Sequence, residues 1–177
     1  FNPRLIDEAD TVVEQRIQEV KSYLFENHTT VGIKDPRMMW CLDLWMDDTV
    51  EIVGTIRHPE LVRRSLAARN QMRAKKVEAD WFEVWYAYNS RLLEIHSERP
   101  FPMVDFSWEE RRYVECVNRI SASLGLAAEG EGFFDSDLRH IADIDLKVPS
   151  KYMRLYHQLQ ERCSCEGPTK KEEGDGG

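Results

Sequence analysis

Short apolar runs alternate with helical periodicities through this chain, and that alternation limits its fold more than any other feature. The clearest run is 50–56, where Val50, Ile52, Val53 and Ile56 are apolar. Thr29-Thr30-Val31-Gly32-Ile33-Lys34 and Met103-Val104-Asp105-Phe106 are two more. The run over 29–34 is rich in β-branched residues, which suit a pleated surface, and all three read as strands. Between them lie helical patterns. Leu5, Ala9, Val12, Val13, Ile17, Val20 and Leu24 recur at three- and four-residue spacing and predict a helix over 4–26. Pro36 opens a short segment with Met38, Met39, Trp40, Leu42, Leu44, Trp45 and Met46, read as a buried helix. Further helices are expected over 59–74, 79–97, from Ser107 to about Gly125, and 150–164. Ser107 with Glu110 three residues later has the capping-box pattern. Strands alternating with helices argue for an α/β fold, a three-layer parallel sheet with helices on both faces. The reading gives one domain over 1–166. A Gly-, Lys- and Glu-rich tail over 167–177 is expected to be disordered.

Charge and cysteine usage narrow the class. The chain carries 24 Lys and Arg against 32 Asp and Glu, a net charge of -8. Nucleic-acid binding needs clustered cations to neutralise phosphates, so this balance argues against it. No apolar run reaches the roughly 20 residues of a membrane span, and no signal peptide opens the chain. Cys41, Cys116, Cys163 and Cys165 lack zinc-site spacing, and no metal is expected. They read as four free thiols in a reducing cytoplasm.

One segment reverses the overall charge. Between residues 57 and 76 stand Arg57, Arg63, Arg64, Arg69, Arg73, Lys75 and Lys76 against one acid, Glu60. The preceding strand delivers Arg57 to its carboxyl end, and Pro59 starts the next helix. Open α/β sheets bind ligands at that end of the strands. A helix N-terminus offers free N–H groups, and Arg a fork that fits phosphate. The segment therefore reads as an anion site, the alternative being a solvated basic face that pairs with acids elsewhere.

Arg57-His58-Pro59, five residues and then Ser65 resembles the motif by which sulfotransferases hold the 3′-phosphate of 3′-phosphoadenosine 5′-phosphosulfate (PAPS). Other pieces follow in the order of the bacterial branch. Gly32-Ile33-Lys34-Asp35-Pro36-Arg37 looks like its Lys-Asp-Pro-Arg signature, and Ser65-Leu66-Ala67-Ala68-Arg69-Asn70 like the stretch after the Arg. Trp85-Tyr86-Ala87-Tyr88-Asn89, Val104-Asp105-Phe106 and Phe134-Asp135-Ser136-Asp137-Leu138-Arg139-His140 resemble later segments. The resemblance covers about 30–160.

It implies a P-loop-NTPase-like sulfotransferase fold and transfer of a sulfuryl group from PAPS to a hydroxyl or amine of a small-molecule or glycan acceptor, without a metal. Arg57 and Ser65 would hold the 3′-phosphate, and Arg139 would close over the nucleotide or lie on the surface. Lys34, Asp35 and Arg37 are weak catalytic candidates. Asp35 could act as a base if burial raised its pKa; otherwise Asp35 and Arg37 form an ion pair at the strand end. The family's Gly-, Ser- and Thr-rich loop for the 5′-phosphosulfate has no counterpart before Lys34. With Phe1 at the start, the chain reads as an N-terminally truncated domain, inactive alone. The alternative is a non-catalytic nucleotide-binding or interaction protein. Loss of the loop strand would expose sheet edges, so a homodimer or strand exchange is expected.

Overall fold

The computed structural model describes residues 11–47, 49–73, 77–126 and 147–165. Contacts divide the chain into two units, with the boundary between Val50 and Glu51.

In the first unit, helix α1 (Thr11–Asn27) accounts for the described part of the predicted 4–26 helix. Among its described side chains Ile17 and Lys21 are buried, one turn apart. The Lys21 ammonium lies 2.7 Å from Asp47, which satisfies a cation that is only 8% exposed. The Pro36 segment splits into a 3-10 helix (Pro36–Trp40) and α2 (Leu42–Trp45), and neither carries a buried residue. Residues 29–34 form no strand. Their β-branched composition has no neighbouring strand to pair with among the described residues.

The second unit is built on two parallel strands, β1 (Gly54–Ile56) and β2 (Met103–Asp105), in register Gly54 to Met103, Thr55 to Val104 and Ile56 to Asp105. The α/β class holds, while the sheet has two strands among the described residues in place of the three expected. Helices α3 (Pro59–Gln71) and α4 (Trp81–Glu98) form the connection between the strands. Helix α5 (Glu110–Ser123) follows β2, and α6 (Ser150–Gln160) follows the loop-like stretch expected over 127–147, most of which lies outside the described residues. The predicted tail also lies outside them.

Alternation along β2 separates two faces. Val104 packs with Cys116 and Ile120 of α5, while Asp105 turns to Tyr156 and Gln160 of α6. Gly54 has no room for a side chain, because a Cβ there would lie 2.5 Å from Met103 Cγ and 2.9 Å from Phe101 Cε2. Gly125 ends α5 with a φ of 70°, as its sequence position suggested. The capping box does not form: Glu109 is the cap residue of α5 without a side-chain bond, and Ser107 is used elsewhere.

The cysteine expectation is corrected. Cys116 and Cys165 form a disulfide with Cα atoms 4.8 Å apart, inside the usual range, and Cys41 and Cys163 are free. The backbone N–H of Ser164 donates to the Met103 carbonyl at 3.1 Å. Residues 163–165 thus lie antiparallel along β2 as a strap.

Candidate functional site

Four helices in the second unit start near the carboxyl ends of β1 and β2. Helix α3 begins two residues after Arg57, and α5 begins five after Asp105. Arg63 of α3 lies over the Phe82 ring in the first turn of α4 at 5.5 Å. Lys151 and the Tyr152 hydroxyl at the start of α6 both reach Glu83 of α4, each at 2.8 Å. The positive ends of the helix dipoles therefore gather on the side of the sheet where parallel folds bind ligands.

Arg57 follows the last residue of β1 and is half-buried, with its guanidinium 5.3 Å from the centre of the Phe106 ring. Its carbonyl accepts from the indole N–H of Trp85, which is 2% exposed. That bond ties the strand end to α4. Ser65 is half-buried on α3, six residues beyond Pro59 and so roughly 9 Å along the helix axis.

The charge of the segment is partly spent within its own helix. Glu60 is 5% exposed, and its carboxylate accepts from Arg63 Nε at 2.6 Å and Arg64 Nε at 2.7 Å. The Arg63 guanidinium foremost, then Arg64, holds the Glu60 pKa down at about 2 against the opposing effect of burial. Arg63 and Arg64 thus match the alternative reading of paired cations. Lys75, Lys76 and Arg139 lie outside the described residues. The first free N–H of α3 is also taken, since Glu60 N donates to the Nδ1 of His58 at 3.3 Å.

A polar cluster that the sequence reading missed sits beside Arg57. Asp105 is fully buried. It accepts from the backbone N–H of Ser107 at 2.8 Å, from the Tyr156 hydroxyl at 2.6 Å and from Gln160 Nε2 at 2.9 Å. The Ser107 hydroxyl accepts from the backbone N–H of His58 at 3.0 Å, which joins the ends of β1 and β2. The His58 ring meets Tyr156 edge-on at 5.2 Å. Burial lowers the His58 pKa, with Asp105 and Glu60 opposing, and an imidazole that accepts at Nδ1 is consistent with the neutral form. Burial, then the bond to Asp105, raises the Tyr156 pKa. The one available signal was Asp105 itself, an acid at the end of an apolar strand.

Lys34, Asp35 and Arg37 belong to the first unit. Asp35 caps the 3-10 helix by accepting from Arg37 N at 2.9 Å, and its carboxylate also takes the Arg37 guanidinium, with Nε at 2.9 Å. The side-chain bond from Arg37 is the main cause that lowers its pKa to about 2. The condition for Asp35 to act as a base was a raised pKa, and the shift runs the other way. Lys34 is exposed.

A cavity of about 580 Å³ opens between α3 and α4, lined by Glu60, Arg63, Asp80, Trp81, Phe82 and Lys147 among others. At about 100° per residue, Ser65 projects from the opposite side of α3 from Arg63 and Glu60. The cavity lining includes neither Arg57 nor Ser65. Its two acids balance its two cations, so it shows no preference for an anion. Among the described residues no cluster of three or more His, Cys, Asp or Glu could hold a metal ion, and no helix is long and apolar enough to cross a membrane. Compared with protein-family models, curated proteins and solved structures, the chain matches none.

Proposed function

We propose that the second unit is the nucleotide 3′-phosphate half of a PAPS-dependent sulfotransferase domain, with the wider P-loop-like three-layer fold that this implies. The observation that supports it is Arg57 at the carboxyl end of a parallel strand, with a Pro-started helix carrying Ser65 directly after it. The residues fit a phosphate in part. Arg57 supplies a planar donor fork and Ser65 a hydroxyl, and both are half-buried. The helix N-terminus contributes less than usual, because His58 already takes the N–H of Glu60. When bound, PAPS supplies the sulfuryl group for transfer to a hydroxyl or amine. This chain's part is to grip the nucleotide through Arg57 and Ser65.

Charged hydrogen bonds contribute roughly 1.5–3 kcal/mol each and a helix N-terminus roughly 0.3–2. Together they support about 4–6 kcal/mol, a dissociation constant of about 0.05–1 mM. Calorimetric titration with 3′-phosphoadenosine 5′-phosphate tests this. Saturable binding in that range is expected, lost in Arg57→Ala and not reproduced by AMP. No heat at millimolar ligand in a folded chain overturns the reading.

A second reading, a nucleotide-binding protein without catalysis, is favoured by Asp35, which is committed to Arg37 and kept well below the range of a general base. Binding without release of 3′-phosphoadenosine 5′-phosphate from PAPS, over a panel of phenol, amine and glycan acceptors, would select it. The expected cytoplasmic setting rested on four free thiols. With Cys116 and Cys165 joined, that ground is gone.

A further inference from the structure

We propose that the Cys116–Cys165 bond is a redox latch, holding the 163–165 strap against β2 and, through α6, ordering the polar cluster at the carboxyl end of the sheet. The inference does not depend on the identity of the ligand.

The connections are short. Cys165 packs against the cluster of Val104, Cys116 and Ile120, so the bond anchors the strap to α5. One residue earlier, Ser164 makes the backbone bond to Met103 on β2. Three residues before Cys163, Gln160 donates to Asp105, and Tyr156 on the preceding turn does the same. Without the bond, the strap keeps the Ser164–Met103 bridge, the bond from Cys163 N to the Gln160 carbonyl at 3.1 Å and its packing. Contacts this few are weak against the conformational entropy of a segment with no covalent anchor to the sheet layer. Two of the three donors on Asp105 then sit on a helix whose end is loose.

Access is one-sided. Cys116 is fully buried, and Cys165 is half-buried. The thiolate of a small dithiol such as dithiothreitol, or of glutathione, attacks Sγ of Cys165. The Cys116–Cys165 bond breaks, and Cys116 leaves as a thiolate and takes a proton. A second thiolate attacks the mixed disulfide, releases Cys165 as a thiol and forms the small-molecule disulfide. Two electrons pass to the protein and two thiols are oxidised. Cys163 is a poor competitor, because burial pushes its thiol up to about 12.

The test uses the wild-type chain, purified without reductant. Alkylation and intact-mass measurement are expected to find two reactive thiols in unfolded protein before reduction and four after it. Hydrogen exchange is then compared between oxidised protein and protein reduced in native buffer. Faster exchange confined to 150–165 and to β2, with α3 and α4 unchanged, is expected, together with a fall in Tm of about 10 °C. Cys165→Ser should reproduce the reduced pattern, and Cys163→Ser should behave as wild type. Four reactive thiols in protein held in oxidising buffer overturn the latch. So does unchanged exchange on reduction, and so does global unfolding on reduction, which makes the bond a plain structural staple.

Discussion

Asp105 ties β2, the turn after it and α6 together through one side chain. It is fully buried and stands on its three donors, Ser107 N, Tyr156 Oη and Gln160 Nε2. Truncation to Ala would strand those donors away from water, each at a cost of roughly 1–3 kcal/mol. Asp105→Ala is therefore expected to lose about 3–5 kcal/mol in denaturant unfolding, and Asp105→Asn less, since an amide still accepts through one oxygen. A loss under 1 kcal/mol in the Ala variant would mean the cluster is incidental. Glu60 gives a pH signature. Its folded pKa, about 2, lies below the value near 4.5 of the unfolded chain. The unfolded state therefore binds the proton first as pH falls. The contribution is fully present above about pH 4.5 and is lost between there and pH 2. Glu60→Gln should flatten the dependence of Tm on pH between 5 and 3, by an amount equivalent to about 2 kcal/mol. Parallel slopes in the two proteins would rule this out.

At the scale of elements, β1 depends on a residue with no side chain. Met103 and Phe101 fill the space where a Cβ on Gly54 would sit. Both are buried, so neither can move without disturbing the strand pairing. Gly54→Ala is expected to destabilise by about 1–3 kcal/mol through overpacking, read as a lower denaturant midpoint with an unchanged slope. A neutral Gly54→Ala would show that Met103 repacks freely. Element types were legible where periodicity was long: α3, α4, α5 and α6 stand close to their expected places. The misses share one cause. Residues 29–34 have strand composition, and Ser107 with Glu110 has a cap pattern, but each outcome depends on partners remote in sequence. Residues 29–34 lack a pairing strand among the described residues, and Ser107 is engaged by His58, 49 positions away.

For the whole molecule, the expected exposure of sheet edges takes a different form. The strap occupies the side of β2 away from β1, so this edge is covered by the chain's own segment. Strand exchange there requires the strap to leave. The oxidised chain is expected to sediment as a monomer, with self-association appearing on reduction. A dimer that persists unchanged in both states would place the contact elsewhere.

Local order along the chain settled a good deal: which stretches are helical, that strand and helix alternate, and that a basic segment begins where β1 ends. These depend on neighbours within a few residues, and periodicity records them directly. Spatial neighbours decided the rest. For the basic segment and for Asp35 the sequence left two readings open, and the structure chose the paired one, Arg63 and Arg64 on Glu60 and Arg37 on Asp35. Cys116 and Cys165 are 49 residues apart, and the Asp105 cluster draws on β2, the turn after it and α6. No pattern in a linear sequence encodes such meetings, because burial and pairing come into being only when the chain closes on itself.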